Sequence, residues 1–322
     1  MSASRYAIGL DLGGTKIAAG LMAADGTVLA ECYRATPVAA GVAPVVDALV
    51  EAAREVVAQA GAPPEEIAGV GLGCPGPIDP EQGMVVFAPN LFWKDVPVTS
   101  LLTARLPWPC RLVNDADAAA LGEAVFGAGQ GAEFLLYLTV STGIGGGIIL
   151  RRRIYSGAHG MAGEFGHVVV DPGGPACRCG RKGCLEALAS GPATARRAKE
   201  ALARGRTSVL SALAGGEPER VTARLVGEAA AQGDQLAQEV LAETARYLGL
   251  GVVNLVNIFD PEQVVIGGGL ANLGEALLGP VREAVRESAL PPAGERVQVA
   301  RAALGRLSGV VGAAAYVLTC AG

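Results

Sequence analysis

Cys177-x-Cys179-x4-Cys184 and a preceding His167 place three thiolates and one imidazole in a short stretch of chain. This is the donor set of a closed tetrahedral zinc site, whose four N or S ligands leave no position for a reactive water. Histidine is scarce, with 2 in 322 residues, so an imidazole at this spot is expected to be a ligand. An iron–sulfur cluster also uses cysteines, but the tight Cys-x-Cys pair with a histidine favours zinc. His159 lacks such company and is expected to be an incidental loop residue.

Two carboxylates flank the cysteine stretch, in Gly163-Glu164-Phe165-Gly166-His167 and Gly183-Cys184-Leu185-Glu186. Glu164 and Glu186 can accept hydrogen bonds from sugar hydroxyls. His167 can join them, because an imidazole that binds metal through one nitrogen keeps the other to donate.

Two glycine-rich turns carry a second kind of chemistry. In Asp11-Leu12-Gly13-Gly14-Thr15-Lys16 the glycines let backbone N–H groups approach a phosphate. Thr15 and Lys16 would add a hydroxyl and a positive charge. Asp11 would hold a hydrated Mg²⁺, which needs few carboxylates. Thr142-Gly143-Ile144-Gly145-Gly146 repeats the pattern, and Gly267-Gly268-Gly269 would let an adenine lie against bare backbone. Each turn alone also fits an ordinary tight connection. Asn114-Asp115 stands at a strand's carboxyl end, where open α/β sheets bind ligands. A carboxylate there can take a proton from a hydroxyl, which is general-base work. The alternative for Asp115 is a helix N-cap, and Asp117 competes for that role.

Elements that would position these groups follow from hydrophobic patterning. Tyr6–Leu12, Lys16–Met22 and Thr27–Tyr33 read as strands joined by Gly13-Gly14 and Asp25-Gly26 turns. Residues 43–60 have helical spacing and end at Gly61. Ile67–Gly73 and residues 111–113 read as strands, with a helix from about Ala118 to Phe126. The opening pattern recurs in a strand Phe134–Val140 and its return Gly147–Leu150, with Arg151-Arg152-Arg153 as a solvated hairpin tip. A long helix Leu236–Phe259, a buried strand Gln263–Ile266, a helix from about Asn272 and a last buried helix over 308–320 complete the chain. Two strand–glycine turn–strand units imply a duplicated architecture with a cleft between the halves.

A net charge of −5 offers no basic field for nucleic acid or an anionic membrane. A hydrophobic fraction of 51% is ample for a core, and no apolar run is long enough to span a bilayer. The N-terminus lacks a signal-peptide pattern, and a cytoplasmic protein is expected. There, 7 cysteines argue against a disulfide framework. Cys32, Cys74, Cys110 and Cys320 are expected to be small core residues.

Taken together these motifs resemble those of the ROK family (repressors, open reading frames and kinases), in its bacterial glucokinase branch. Asp11–Lys16 and Ser141–Gly147 match its two phosphate motifs, and Leu112-Val113-Asn114-Asp115-Ala116 the segment with its catalytic aspartate. Gly163–His167 and Cys177–Glu186 match its sugar and zinc signatures, and the likeness runs from Ile8 to the last helix. The resemblance implies an actin-like ATPase (ribonuclease H-like) fold of two α/β domains, commonly a homodimer. We expect a small domain of residues 1–117 plus 304–322 and a large domain of 118–303 with the zinc loop. By the same resemblance Asp115 would deprotonate the 6-hydroxyl of a hexose, glucose first. Asn90, Asn114, Glu164, His167 and Glu186 would hold its ring hydroxyls. Gly13, Gly14, Thr142, Gly143 and Gly145 would hold the ATP phosphates, with Gly267 to Gly269 near the nucleoside. Relatives often carry Asn where His159 stands, and Pro89–Trp93 is a variable form of its loop. Kinases for N-acetylmannosamine, N-acetylglucosamine or fructose are alternatives. A sugar-responsive repressor would need a DNA-binding domain ahead of Asp11, and only ten residues precede it.

Overall fold

The computed structural model describes residues 5–319, so Cys320 lies outside the described residues. The chain divides into two compact units: Met1–Glu133, Gly147–Gly163 and Ala303–Gly322 form the first, and Phe134–Gly146 with Glu164–Ala302 the second.

Unit 1 begins with β1 (Tyr6–Leu12), β2 (Lys16–Ala23) and β3 (Val28–Ala35), followed by α1 (Val42–Ala60) and β4 (Ile67–Cys74). Three short strands follow, β5 (Ile78–Asp79), β6 (Met84–Ala88) and β7 (Trp93–Val96), then α2 (Val98–Thr103), β8 (Cys110–Asn114) and α3 (Asp115–Phe126). Its main sheet has the order β3-β2-β1-β4-β8. β1, β2 and β3 pair antiparallel, while β4 and β8 join in parallel. Ile8, Leu10 and Leu12 are fully buried against the face of α1 that presents Val46, Leu49 and Ala53.

The next elements are β9 (Phe134–Val140), β10 (Ile144–Leu150), β11 (Arg153–Ile154), α4 (Leu185–Ala189), α5 (Gly191–Ala203), α6 (Leu210–Leu213), α7 (Ala223–Ala231) and α8 (Gln235–Phe259). β12 (Gln263–Gly267), α9 (Glu275–Ser288), α10 (Ala293–Arg296), β13 (Gln298–Arg301) and α11 (Ser308–Thr319) close the chain. The second sheet has the order β11-β10-β9-β12-β13, with β10 carrying the chain from unit 2 into unit 1. This is the first sheet's order repeated, as the recurring glycine-turn hairpin implies. Asp234 caps α8 by accepting from Ala237 N at 2.8 Å. The helix stops at Asp260, whose left-handed backbone precedes Pro261.

In this division α3 groups with unit 1. Gly312 of α11 lies so close to the Ala118 carbonyl of α3 that a Cβ would collide with it. Beside this contact Glu123 is fully buried. Its carboxylate accepts from Ala303 N and Leu304 N, both at 2.9 Å, and from Ser308 Oγ at 2.8 Å. Such charge-assisted bonds to a buried anion fix the entry of α11 onto α3. Two helix limits differ from expectation: α3 starts at Asp115 instead of Ala118, and α9 at Glu275 instead of near Asn272. Cys32 and Cys74 are buried, while Cys110 is half-buried. Among the described residues no helix is long and apolar enough to cross a membrane.

Candidate active site and metal centre

In unit 1 the first glycine turn is a tight reversal in which Gly13 N donates to Lys16 O at 2.9 Å. Thr36 ties it down by donating through Oγ1 to Gly13 O at 2.7 Å. Asn90 reaches the turn from the loop between β6 and β7, where Leu91 and Trp93 anchor the chain in the core at 1% exposure each. A Cβ placed on Gly14 would lie 2.9 Å from Asn90 O. Only glycine therefore allows the two loops to touch. Lys16 does not project freely: its ammonium sits 4.7 Å from the centroid of the Tyr33 ring, a cation–π contact. Thr15 is exposed and Asp11 half-buried.

Asn114 ends β8 opposite Cys74 of β4 and becomes the N-cap of α3. Its Oδ1 accepts from Ala116 N at 2.9 Å and Asp117 N at 3.2 Å, while Nδ2 donates to Gly76 O at 3.4 Å. The cap is therefore Asn114, not either aspartate. Asp115 becomes the first helical residue, half-buried, with Oδ1 accepting from Ala116 N at 2.9 Å. A helix N-terminus favours an anion at that place. Asp115 also acts on its neighbours. Burial pushes Asp11 up to about 6, with the Asp115 charge adding to this and Lys16 opposing it. Burial likewise pushes Asp117 up to about 7; Ser156 donating to it works against the rise, and the Asp115 charge works with it. Burial also drives the Cys74 thiol far above its ordinary value, with help from the same charge.

In unit 2 the second glycine turn is closed by Ser141 N donating to Gly143 O at 2.8 Å. Ile144 N donates to Glu186 Oε2 at 3.0 Å, and Gly191 N to Ser141 O at 2.8 Å. Gly145 is half-buried in β10. β12 pairs in parallel with β9, Gly267 opposite Thr139, which brings the Gly267–Gly269 run beside this turn. Gly268 has φ +83° and packs on the Val140 backbone, and Gly267 packs on the Tyr137 ring. Those two glycines serve close packing. Gly269 alone of the three joins Thr142 in lining a cavity of about 1030 Å³. Its other walls include Pro192, Leu241, Asn272 and Ala276, from helical segments whose sequences carry no motif. A large, mostly apolar cavity edged by backbone amides suits a nucleoside and its phosphates.

The cysteine stretch folds into a small loop held by bridges Val169↔Cys184 and Ala176↔Lys182. Cys177 N donates to Arg181 O at 2.7 Å, and Gly180 turns the chain at φ +90°. One donor atom from each of His167, Cys177, Cys179 and Cys184 lies within 4.8 Å of the other three. Cys179 Sγ and Cys184 Sγ are 3.6 Å apart, and His167 Nδ1 is 3.7 Å from Cys177 Sγ. Two Zn–S bonds of ~2.3 Å at a tetrahedral angle need sulfurs roughly 3.8 Å apart. The four residues therefore fit zinc, which His167 would bind through Nδ1, the nitrogen on the side of Cys177. His167 Nε2 faces the other way, 3.9 Å from Glu164 Oε2. Glu164 and His159 are exposed, and Glu186 is half-buried in the first turn of α4.

A family model described as ROK family matches residues 7–319. A glucokinase of Thermotoga maritima is 40% identical over 311 residues, which cover 96% of each chain. The crystal structure of a ROK family glucokinase from Streptomyces griseus, in complex with glucose and AMPPNP, is 39% identical with a TM-score of 0.82. That match covers 96% of this chain and 98% of the other. A ROK hexokinase from Thermus thermophilus is 40% identical with a TM-score of 0.79, covering 98% and 100%. With a family model along nearly its whole length and relatives at this identity, the chain belongs to the ROK family.

Proposed function

We propose that the protein is an ATP-dependent glucokinase, a phosphotransferase that moves the γ-phosphoryl group to the 6-hydroxyl of glucose. The observation that carries this is Asp115, a half-buried carboxylate at the carboxyl end of β8 and the N-terminus of α3. The relatives' activities support the choice of substrates. Asp115 accepts the 6-hydroxyl proton as the oxygen attacks phosphorus. Asn90, Asn114, Glu164, His167 and Glu186 hold the ring hydroxyls. Phosphoryl transfer needs positioning and electrostatic stabilisation more than covalent chemistry, and turns rich in backbone N–H groups provide both. Gly13, Gly14, Thr15, Thr142, Gly143 and Gly145 face the phosphates, while Gly269 and the unit 2 cavity take the nucleoside. Asp11 is the residue to hold Mg²⁺, which when bound neutralises phosphate charge. Zinc on His167, Cys177, Cys179 and Cys184 is structural, since protein fills all four positions. A cytoplasmic homo-oligomer, dimer or tetramer, completes the proposal.

A coupled ADP-release assay over glucose, fructose, N-acetylmannosamine and N-acetylglucosamine tests it. Glucose should give the highest kcat/KM. Preference for an N-acetylhexosamine, or polyphosphate outperforming ATP, would replace substrate or donor. Sugar binding without turnover would make the protein a non-catalytic sensor.

A further inference from the structure

Unit 1 holds a cavity of about 500 Å³ that shares only Asn114 with the residues proposed to hold the substrates. It is lined by Asn114, Asp117, Ser156 and all three of Arg151, Arg152 and Arg153. Asp117 is only 6% exposed, and its Oδ1 is buried with no hydrogen-bond partner among the described residues. Its other oxygen accepts from Ser156 Oγ at 3.3 Å. A buried polar atom without a partner carries a desolvation cost that a ligand hydroxyl would relieve.

The arginines are as telling as the aspartate. All three are exposed, and among the described residues none makes an ion pair. Arg151 and Arg152 have φ of 51° and 64°, a left-handed backbone that a hairpin usually assigns to Asn or Gly. Guanidinium groups recognise phosphate by paired N–H donors. The cavity therefore combines an acceptor for hydroxyls with donors for an anion. It is about half the size of the unit 2 cavity and much larger than a phosphate ion needs.

The geometry points to a second ligand site here, taking a phosphorylated polyhydroxy compound of hexose phosphate size. The product of the proposed reaction has this chemistry, a choice that rests on the glucokinase assignment. Occupied by product, the site gives inhibition that excess glucose does not relieve.

Calorimetric titration of glucose 6-phosphate into the full chain, with glucose and AMPPNP saturating, tests it. Binding should persist under these conditions. It should weaken tenfold or more in Arg152→Ala/Arg153→Ala, whose kcat and KM at negligible product stay those of the wild type. Ser156→Ala, a second and independent variant, should weaken it several-fold. No binding with glucose and AMPPNP saturating, binding unaltered in both variants, or equal affinity for inorganic phosphate would each overturn the proposal. The ADP-release assay reports separately on the glucokinase assignment, because the titration needs no turnover.

Discussion

Gly14 in the first glycine turn lies against Asn90 in the loop between β6 and β7, with room for a hydrogen but not for a methyl group. A residue proposed to face phosphate thus sets the position of one proposed to hold sugar. Gly14→Ala should push the two loops apart. Overpacking of this kind costs about 1–3 kcal/mol, and a displacement of about 1 Å can cost ~10²-fold in rate. We expect KM for both substrates to rise and kcat to fall. Steady-state kinetics with each substrate varied in turn is the check; a variant with both constants unchanged would show the contact to be idle.

Asp115→Asn keeps the shape of the side chain and removes the proposed base. It should lower kcat by ~10²-fold or more, with glucose affinity largely kept in equilibrium titration. Turnover near that of the wild type would take Asp115 out of the mechanism.

Metal analysis should find one zinc per chain, held by His167, Cys177, Cys179 and Cys184. Cys179→Ser should lower the melting temperature, because metal-binding free energy is folding free energy in such loops. Iron with a visible charge-transfer band, or an unchanged melting curve, would refute the assignment.

Asp117 gives a pH signature. Burial raises its pKa from 3.8 to about 7, so between those values the folded chain keeps a proton that the unfolded chain releases. Stability from this group is therefore highest at low pH and falls as pH rises toward about 7. Asp117→Asn removes that dependence. Its stability relative to the wild type should improve between pH 5 and pH 8 by on the order of 1 kcal/mol or more. Thermal melts of both proteins at the two values decide it, and parallel curves would count against the shift.

Much of this was legible in the sequence because local chemistry dictated it. Asp25-Gly26 and Gly13-Gly14 turn β1, β2 and β3 back on one another. The spacing of His167, Cys177, Cys179 and Cys184 foretold a cluster that the fold closes. Other features depend on distant partners. Asn114, Asp115 and Asp117 can all cap a helix, and the pairing of β8 with β4 selects Asn114. Nothing around Lys16 in the sequence foretells that Tyr33, on the next strand, lies beneath its ammonium. The β5-β6-β7 sheet, which holds Asn90 in place, has strands of 2 to 5 residues and no periodicity to detect. The fit of Gly312 against Ala118 was hidden for a similar reason, being a matter of surface shape.

Glu186 follows Cys184 by two residues and takes the Ile144 amide into its carboxylate, while Gly191 N reaches back to Ser141 O. The cysteine loop and the second glycine turn are thereby stitched into one body. Whatever loosens the cysteine loop should loosen this turn with it, so chelation of the proposed zinc is expected to weaken AMPPNP binding as well as stability.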